Sequence, residues 1–337
     1  MTTQPEAGSG VTTMRAVVQD EYRDTADVLR LEEVARPVPG PGEVLVRVAA
    51  AGVDRGVWHL MAGKPYAARL AFGMRAPKNR VRGSEFAGRV EAIGERVTAV
   101  RPGQQVYGIG AGSFAEYVVA PDGKVAPAPA GIPVVQAAAV PVSASTALQG
   151  VRDHGRVTAG QKVLVIGASG GVGSFAVQIA KAFGAEVTGV ARTDKLELVR
   201  SLGADHVVDH TTDDVTSGAA RYDVVLDIGG NTPVRRLRRV LTPRGTLVIV
   251  GGEGKGRWLG MGRQLRAAAL SPFVGQRLGF FVNRGTAADL VVLAGLIESG
   301  QVTPAVDRTF PLAEAAAAVT YMAEGRARGK VVVEVSR

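Results

Sequence analysis

The run Ala168-Ser169-Gly170-Gly171-Val172-Gly173 has the composition of a turn that holds phosphate. The apolar, strand-like KVLVI precedes it. SFAVQIAKAFG follows, and Val172, Ala176, Ile179, Ala180 and Phe183 recur there at helical spacing until Gly184 ends the pattern. In a strand–turn–helix unit, free N–H groups and the positive end of the helix dipole face an anion, an effect of about 0.3–2 kcal/mol. The spacing fits the dinucleotide fingerprint with Ala168 in place of the first glycine. Gly170 lets the backbone approach a pyrophosphate, and Gly173 lets the helix pack close to the sheet. A tight turn without a ligand is the alternative, but a second strand at the right distance, EVTGVA, favours the dinucleotide.

The tip of that second strand bears on which dinucleotide. NAD-dependent proteins present Asp or Glu there for the ribose hydroxyls. This chain has Ala191-Arg192-Thr193 with Lys195 just beyond. An arginine can meet a 2′-phosphate in bidentate fashion, so NADP(H) is the expected cofactor. Asp194 reads as the cap of the next helix. Further contacts are expected at the ends of later strands: Gly229 and Asn231 in IGGN, and Val250, Gly251 and Gly252 in VGG.

The elements that position these residues divide into two characters. From Met14 to about Val119, short alternating runs (MRAVVQ, EVLVRVAAAGV, GRVEAIG, FAEYVVA) predict an all-β unit of barrel type. PAPAGIP, residues 127–133, reads as a stiff connection. Beyond it Gln136 to Val151 suits a helix, and strands at KVLVIGA, EVTGVA, ADHVVD, YDVVLDI and GTLVIVGG alternate with helices, the mark of a parallel sheet covered on both faces. The chain closes with a helix at AADLVVLAGLIESG, a strand at TPAVDRTF, a helix from Leu312 and the strand KVVVEV.

Composition narrows the function classes. A chain of 337 residues is comfortable for two domains. With no cysteine there is no disulfide and no thiolate zinc site. Residues 1–13 have neither the basic start nor the apolar core of a signal peptide and read as a disordered lead. No apolar run reaches the length of a membrane span, so a cytoplasmic protein is expected. The net charge of +9 opens nucleic acid, anionic membrane or phosphorylated ligands, beside the plainer reading of a basic surface.

Across residues 14–336 the chain resembles the medium-chain dehydrogenase/reductase superfamily, in its zinc-free quinone oxidoreductase branch with zeta-crystallin. The carrying segments are AAAGVDRGVW, GSEFAGRVEAIGERVTAVRPGQQVYG, SFAEYVV, QAAAVPVSASTAL, GQKVLVIGASGGVGSFAVQIAKAFGAEV, LGADHVVD and ARGKVVVEV. The resemblance implies an α/β protein with a GroES-like β-barrel catalytic domain, residues 14–126 and 256–337, and a doubly wound Rossmann NADP-binding domain, residues 127–255. The catalytic metal positions of zinc-dependent relatives fall on Asp54, Ser84 and Val142, so no catalytic metal is expected.

The resemblance also implies side-chain roles. Asp54 stands at the nicotinamide-side pocket wall, or caps the following helix. His59 stands where relatives carry a cleft-lining Tyr; as a general acid it would contribute about 10²–10⁴ in rate, while packing on its helix is the alternative. Tyr66 is a further proton donor to consider, with solvent as the other source. Thr146 matches a residue beside the nicotinamide, and Phe280, Phe281 and Val282 pass near its carboxamide or pack in the core. Asp209 and His210 fall at the end of the third strand, where a relative would meet the adenosine, with a surface loop as the alternative.

The implied function is zinc-independent, NADPH-dependent hydride transfer to a quinone or α,β-unsaturated carbonyl. A metal-free alcohol or aldehyde oxidoreductase and an enoyl-thioester reductase are the enzymatic rivals. A nucleic-acid-binding, crystallin-like role has a foothold in RRLRR at 235–239 and in the basic segment 255–284, and a membrane-surface role in the latter; a helix face explains RRLRR more simply. The resemblance also implies a homodimer joined through the outer edge strand of the Rossmann sheet, here GTLVIVGG, which fits the tendency of an uncovered apolar edge to pair.

Overall fold

The computed structural model describes residues 12–251 and 261–335. One sheet is built around the long strand Glu43–Val53. Its order is Val306–Pro311, Lys330–Glu334, Glu43–Val53, Glu85–Ile93, Gln105–Ile109 and Val125–Pro127, and Tyr117–Pro121 also pairs with Glu43–Val53. Val44, Val46 and Val48 alternate inward and pack with Phe86, Val106 and Phe114. The closing strand lies antiparallel to Glu43–Val53, with Val331 opposite Val53 and Glu334 opposite Ala50. The two ends of the chain therefore build one lobe, as the resemblance implies. The strand Thr13–Val18 pairs with Arg30–Ala35, and so starts one residue inside the expected lead.

The second sheet has six parallel strands in the order His206–Asp209, Glu186–Ala191, Lys162–Ile166, Tyr222–Asp227, Leu241–Ile249 and Arg277–Phe280. Counted along the chain this is the 3-2-1-4-5-6 order of a Rossmann fold. The order reverses between Lys162–Ile166 and Tyr222–Asp227, where such sheets bind ligands beyond their carboxyl ends. The helix Gly171–Ala182 buries Phe175, Ala176, Ile179 and Ala180, and Gly184, at φ +81°, takes the left-handed turn after it.

Three expectations are corrected here. Arg277–Phe280 belongs to the Rossmann sheet, with Leu278 opposite Leu247, so the boundary at 255/256 falls too early. This four-residue strand buries one side chain fully, Leu278, and lacks the long apolar run that marks its neighbours. Leu241–Ile249 consequently has a partner on each side and cannot be the outer edge; Arg277–Phe280 is. The helix expected over 136–151 is divided into Val134–Ala138 and Pro141–Leu148, because Pro141 has no N–H to continue a ladder, and Gln149–Gly155 widens into a π-helix.

The lobes share a core in which Ala50, Ala87, Tyr107 and Val332 join Rossmann residues such as Phe175 and Leu148. Tyr107 donates its hydroxyl to the Leu290 carbonyl at 2.5 Å, tying the barrel to the helix Ala287–Glu298. No helix among the described residues is long and apolar enough to cross a membrane.

Candidate active site

The glycine turn sits at the sheet's reversal point, and its glycines differ in what they do. A Cβ on Gly173 would lie 2.0 Å from the Gly167 carbonyl, so the helix packs against the turn only without a side chain there. Gly167, at φ +87°, closes the turn against the Gly229 N–H, which a Cβ would meet at 2.8 Å. Sequence reading missed Gly167; a glycine directly after a buried strand was the available signal. A Cβ on Gly171 would press on Lys330 and Ser143 at 3.1 and 3.3 Å. Gly170 is different: its nearest neighbour would be the Gly167 carbonyl at an ordinary 3.5 Å, so this face of the turn is open. Buried Ala168 donates its N–H to the Val190 carbonyl, and the Ser169 carbonyl accepts from Gly329 N–H at 2.9 Å. Val172, half-buried, is the second residue of this helix, whose first N–H groups lack intrahelical acceptors. An open backbone face at a helix N-terminus fits a diphosphate.

At the tip of Glu186–Ala191 lies a cleft of about 380 Å³ bordered by Arg192, Asp194, Asp307, Tyr321, Arg326 and Arg328. The Arg192 side chain is 57% exposed, with Nε 3.2 Å from Asp194; Arg328 lies 3.8 Å from the same carboxylate. Asp194 thus neutralises arginines and makes no capping bond to the next helix. Lys195 has another task. Its buried Nζ donates to the Gly325 and Ala327 carbonyls, each at 2.7 Å, and burial pushes its ammonium down. It anchors the loop that carries Arg326 and Arg328. Thr193 donates to Asp209 at 2.5 Å and so joins the two strand tips. Sequence reading missed Arg326 and Arg328, which reach the cleft from the far end of the chain.

The later strand ends converge on the same turn. Gly229 N–H donates to the Ile166 carbonyl at 3.1 Å, and a Cβ on Gly251 would lie 2.3 Å from the Ile228 carbonyl. Val250 N–H reaches the Asp227 carbonyl at 2.9 Å, while Asn231 is exposed. Gly252 lies outside the described residues. Asp227 is fully buried; it accepts from Gly230 N–H at 3.1 Å and pairs with Arg263. Burial raises its carboxyl to about 6 despite that arginine.

Two of the residues expected at the substrate side, Asp54 and His59, sit at the start and in the last turn of the helix Arg55–Ala62. Asp54 caps it, accepting from Val57 N–H at 3.2 Å and from the Ser84 hydroxyl at 2.5 Å. His59 packs edge-on to Trp58, and its Nδ1 lies 3.1 Å from the Lys64 carbonyl, which ties down the helix end. Tyr66 is half-buried beneath the Arg69 guanidinium. Thr146 accepts from Asn283 Nδ2 at 2.9 Å, and the same amide reaches Ser145 at 2.9 Å. Phe281 stacks on His154 with centroids 4.3 Å apart, Phe280 packs into the sheet's apolar layer, and Val282 is exposed.

Beneath the turn is a sealed polar cluster. Lys330, 1% exposed, donates to Glu85 at 2.5 Å, Ser143 at 3.0 Å and the Val53 carbonyl at 3.2 Å. The second Glu85 oxygen accepts from Val142 N–H at 2.7 Å. Of the three positions where the resemblance places metal ligands, Asp54 and Ser84 bond to each other and Val142 offers an aliphatic side chain. Among the described residues no three His, Asp or Glu converge as a metal site. Two of the four arginines of RRLRR are engaged structurally, Arg236 with Asp214 and Arg238 with Gln276 at 2.9 Å, while Arg235 and Arg239 are exposed.

A Rossmann sheet with an open phosphate turn, joined to a GroES-like lobe across a shared pocket, defines a nicotinamide-dependent oxidoreductase. Two family profiles match, "Alcohol dehydrogenase GroES-like domain" over residues 40–130 and "Zinc-binding dehydrogenase" over 202–333. The chain is 32% identical to the mitochondrial NAD(P)H oxidoreductase RTN4IP1 of Bos taurus, over 99% of this chain and 91% of that protein. It is 34% identical to the chloroplastic NADPH-dependent alkenal/one oxidoreductase of Arabidopsis thaliana, over 95% and 79%. The quinone oxidoreductase of Coxiella burnetii has the same fold, with a TM-score of 0.84 at 24% identity, over 96% of this chain and all of that one. The protein belongs to the medium-chain dehydrogenase/reductase superfamily, in its quinone oxidoreductase-like branch.

Proposed function

We propose that the protein uses NADPH to reduce an α,β-unsaturated carbonyl compound or a quinone, without a catalytic metal. The observation that carries this reading is the pocket wall, where Asp54 and Ser84 bond to each other and Val142 presents no ligand atom. Such a wall polarises no carbonyl as a Lewis acid would, and suits substrates whose conjugation already stabilises the added electrons. When bound, the reduced nicotinamide supplies hydride, which with a proton from solvent saturates the alkene of an enone or reduces a quinone to its hydroquinone.

The chain's own residues bind and orient. The turn at Gly170 and the helix Gly171–Ala182 hold the diphosphate, Thr146 and Asn283 border the ring, and the Glu85–Lys330 cluster closes the floor against water. Arg192, Arg326 and Arg328 support NADPH over NADH, since guanidinium forks match a 2′-phosphate. The open edge at Arg277–Phe280 supports a homodimer formed by pairing of two such strands. Light scattering at the mass of one chain would contradict that assembly.

The test is a substrate panel with purified protein and NADPH: naphthoquinone, an enal, an enoyl thioester and a simple aldehyde, before and after dialysis against EDTA. Turnover of the quinone or enal that survives EDTA is the expected outcome. Activity confined to the aldehyde, or restored only by added zinc, would overturn the reading.

A further inference from the structure

Beside the pocket wall lies a smaller pocket of about 140 Å³, bordered by Val57, Leu60, Phe72, Lys78, Arg82 and Ala111. Its apolar lining surrounds one buried cation. Arg82 is 5% exposed, and its backbone is held on both sides: its N–H donates to the Val17 carbonyl at 3.0 Å, and its carbonyl accepts from Phe114 N–H at 2.8 Å. Its guanidinium is not so held. Nε is buried without a hydrogen-bond partner, and among the described residues no carboxylate pairs with it. Burial pushes Arg82 down to about 10, which still leaves it charged at neutral pH.

The other buried charges among the described residues have partners: Lys330 has Glu85, Asp227 has Arg263, Asp289 has Arg152, Lys195 has two carbonyls and Asp54 has Ser84. A buried cation with no counter-charge is expensive, and persists where something brings the missing anion. A second orphan lies beside Gly83. Ser113 Oγ is buried and unpartnered, 2.4 Å from where a Cβ on Gly83 would stand. Gly83 also lines the pocket, and its neighbour Ser84 donates to Asp54, the cap of the helix that supplies Val57 and Leu60. The pocket and the wall of the hydride site therefore share one helix and one loop.

We infer that Arg82 receives the carboxylate of the substrate, so that the preferred substrate is a short-chain enone bearing a carboxylate at its far end. This rests on the hydride-transfer reading above. A guanidinium fork matches a carboxylate in two parallel bonds. The volume is well below the roughly 300–1,000 Å³ of pockets for drug-sized ligands, which favours a short acid over a nucleotide-bearing thioester.

The experiment compares, with NADPH, an enone whose carboxylate stands two methylenes from the alkene and the methyl ester of the same compound. Wild-type kcat/KM is expected to favour the acid by about a hundredfold, because the ester leaves the buried cation unpaired. The ratio is expected to fall to near one in Arg82→Met and to be partly retained in Arg82→Lys. Equal use of acid and ester by the wild type overturns the inference. So does a ratio in Arg82→Met equal to that of the wild type. Calorimetry with the saturated keto-carboxylate and the protein–NADP⁺ complex tests the site without turnover. Binding by wild type and Arg82→Lys but not by Arg82→Met supports the anion site even if neither enone is reduced, a result that would count against hydride transfer alone; no binding by the wild type refutes the site.

Discussion

Two charged clusters flank the phosphate turn, and they are built in opposite ways. Beneath it, Lys330 and Glu85 are closed off from water, and every polar atom has a protein partner: Ser143, the Val53 carbonyl or Val142 N–H. Beside it, Arg192, Arg326 and Arg328 share exposed carboxylates at Asp194 and Glu324 across an open cleft. A sealed pair in low dielectric, lying within one lobe and reaching the other through Ser143 and Val142, has no capacity for a ligand. An open, half-matched cluster contributes little to folding and leaves its guanidinium groups accessible to an anion. Position relative to solvent, more than residue type, separates a structural charge from a binding one.

The sharpest way to break this contrast is to remove the sealed cation. Lys330→Met strands Glu85 in the interior and should destabilise the protein by about 3–5 kcal/mol, read from the urea midpoint. Burial already raises the Glu85 carboxyl, so acidification should neutralise it and recover part of that loss. A midpoint equal to that of the wild type would mean that the sealed pair is not a structural one. Next in size is the pair of turn glycines. Gly173→Ala, facing a carbonyl at 2.0 Å, should cost about 1–3 kcal/mol of stability. Gly170→Ala should melt as the wild type does, yet weaken dinucleotide binding in a fluorescence titration.

The smallest expected effect concerns Asp227. Its folded value, about 6, is raised above the ordinary 3.8, so its protonated form favours the fold. The stability this provides is complete below the ordinary value and is lost as pH rises through about 6. Between pH 5 and 7 the wild type should therefore lose about 1 kcal/mol more than Asp227→Asn does, measured as the difference between the two denaturation curves. The difference matters because His154, lowered by burial, contributes with the opposite sign in the same window.

Local backbone demands were legible in the sequence. The turn, its helix and the strands that alternate around them were recoverable because a glycine without room for a Cβ and an apolar run with a period both leave a mark. Non-local partnerships left none. Lys330 reads in GKVVVEV as the start of a strand, and nothing near it points to Glu85, 245 residues away. Arg326 and Arg328 reach the Arg192 cleft only because Lys195 holds their loop by two carbonyls. Arg277–Phe280 was assigned to the wrong lobe because a short edge strand needs little apolar surface. Asp54 could be read as a cap or as a pocket wall. It caps its helix and also accepts from Ser84, while His59 is placed at the same helix's far end.

The open cluster carries the central claim, and calorimetry with NADPH and NADH tests it most directly. The wild type is expected to bind NADPH at least about tenfold more tightly, and the double variant Arg192→Ser with Arg328→Ser to lose that difference. Equal affinities in the wild type, or a preference unchanged in the double variant, would contradict the account.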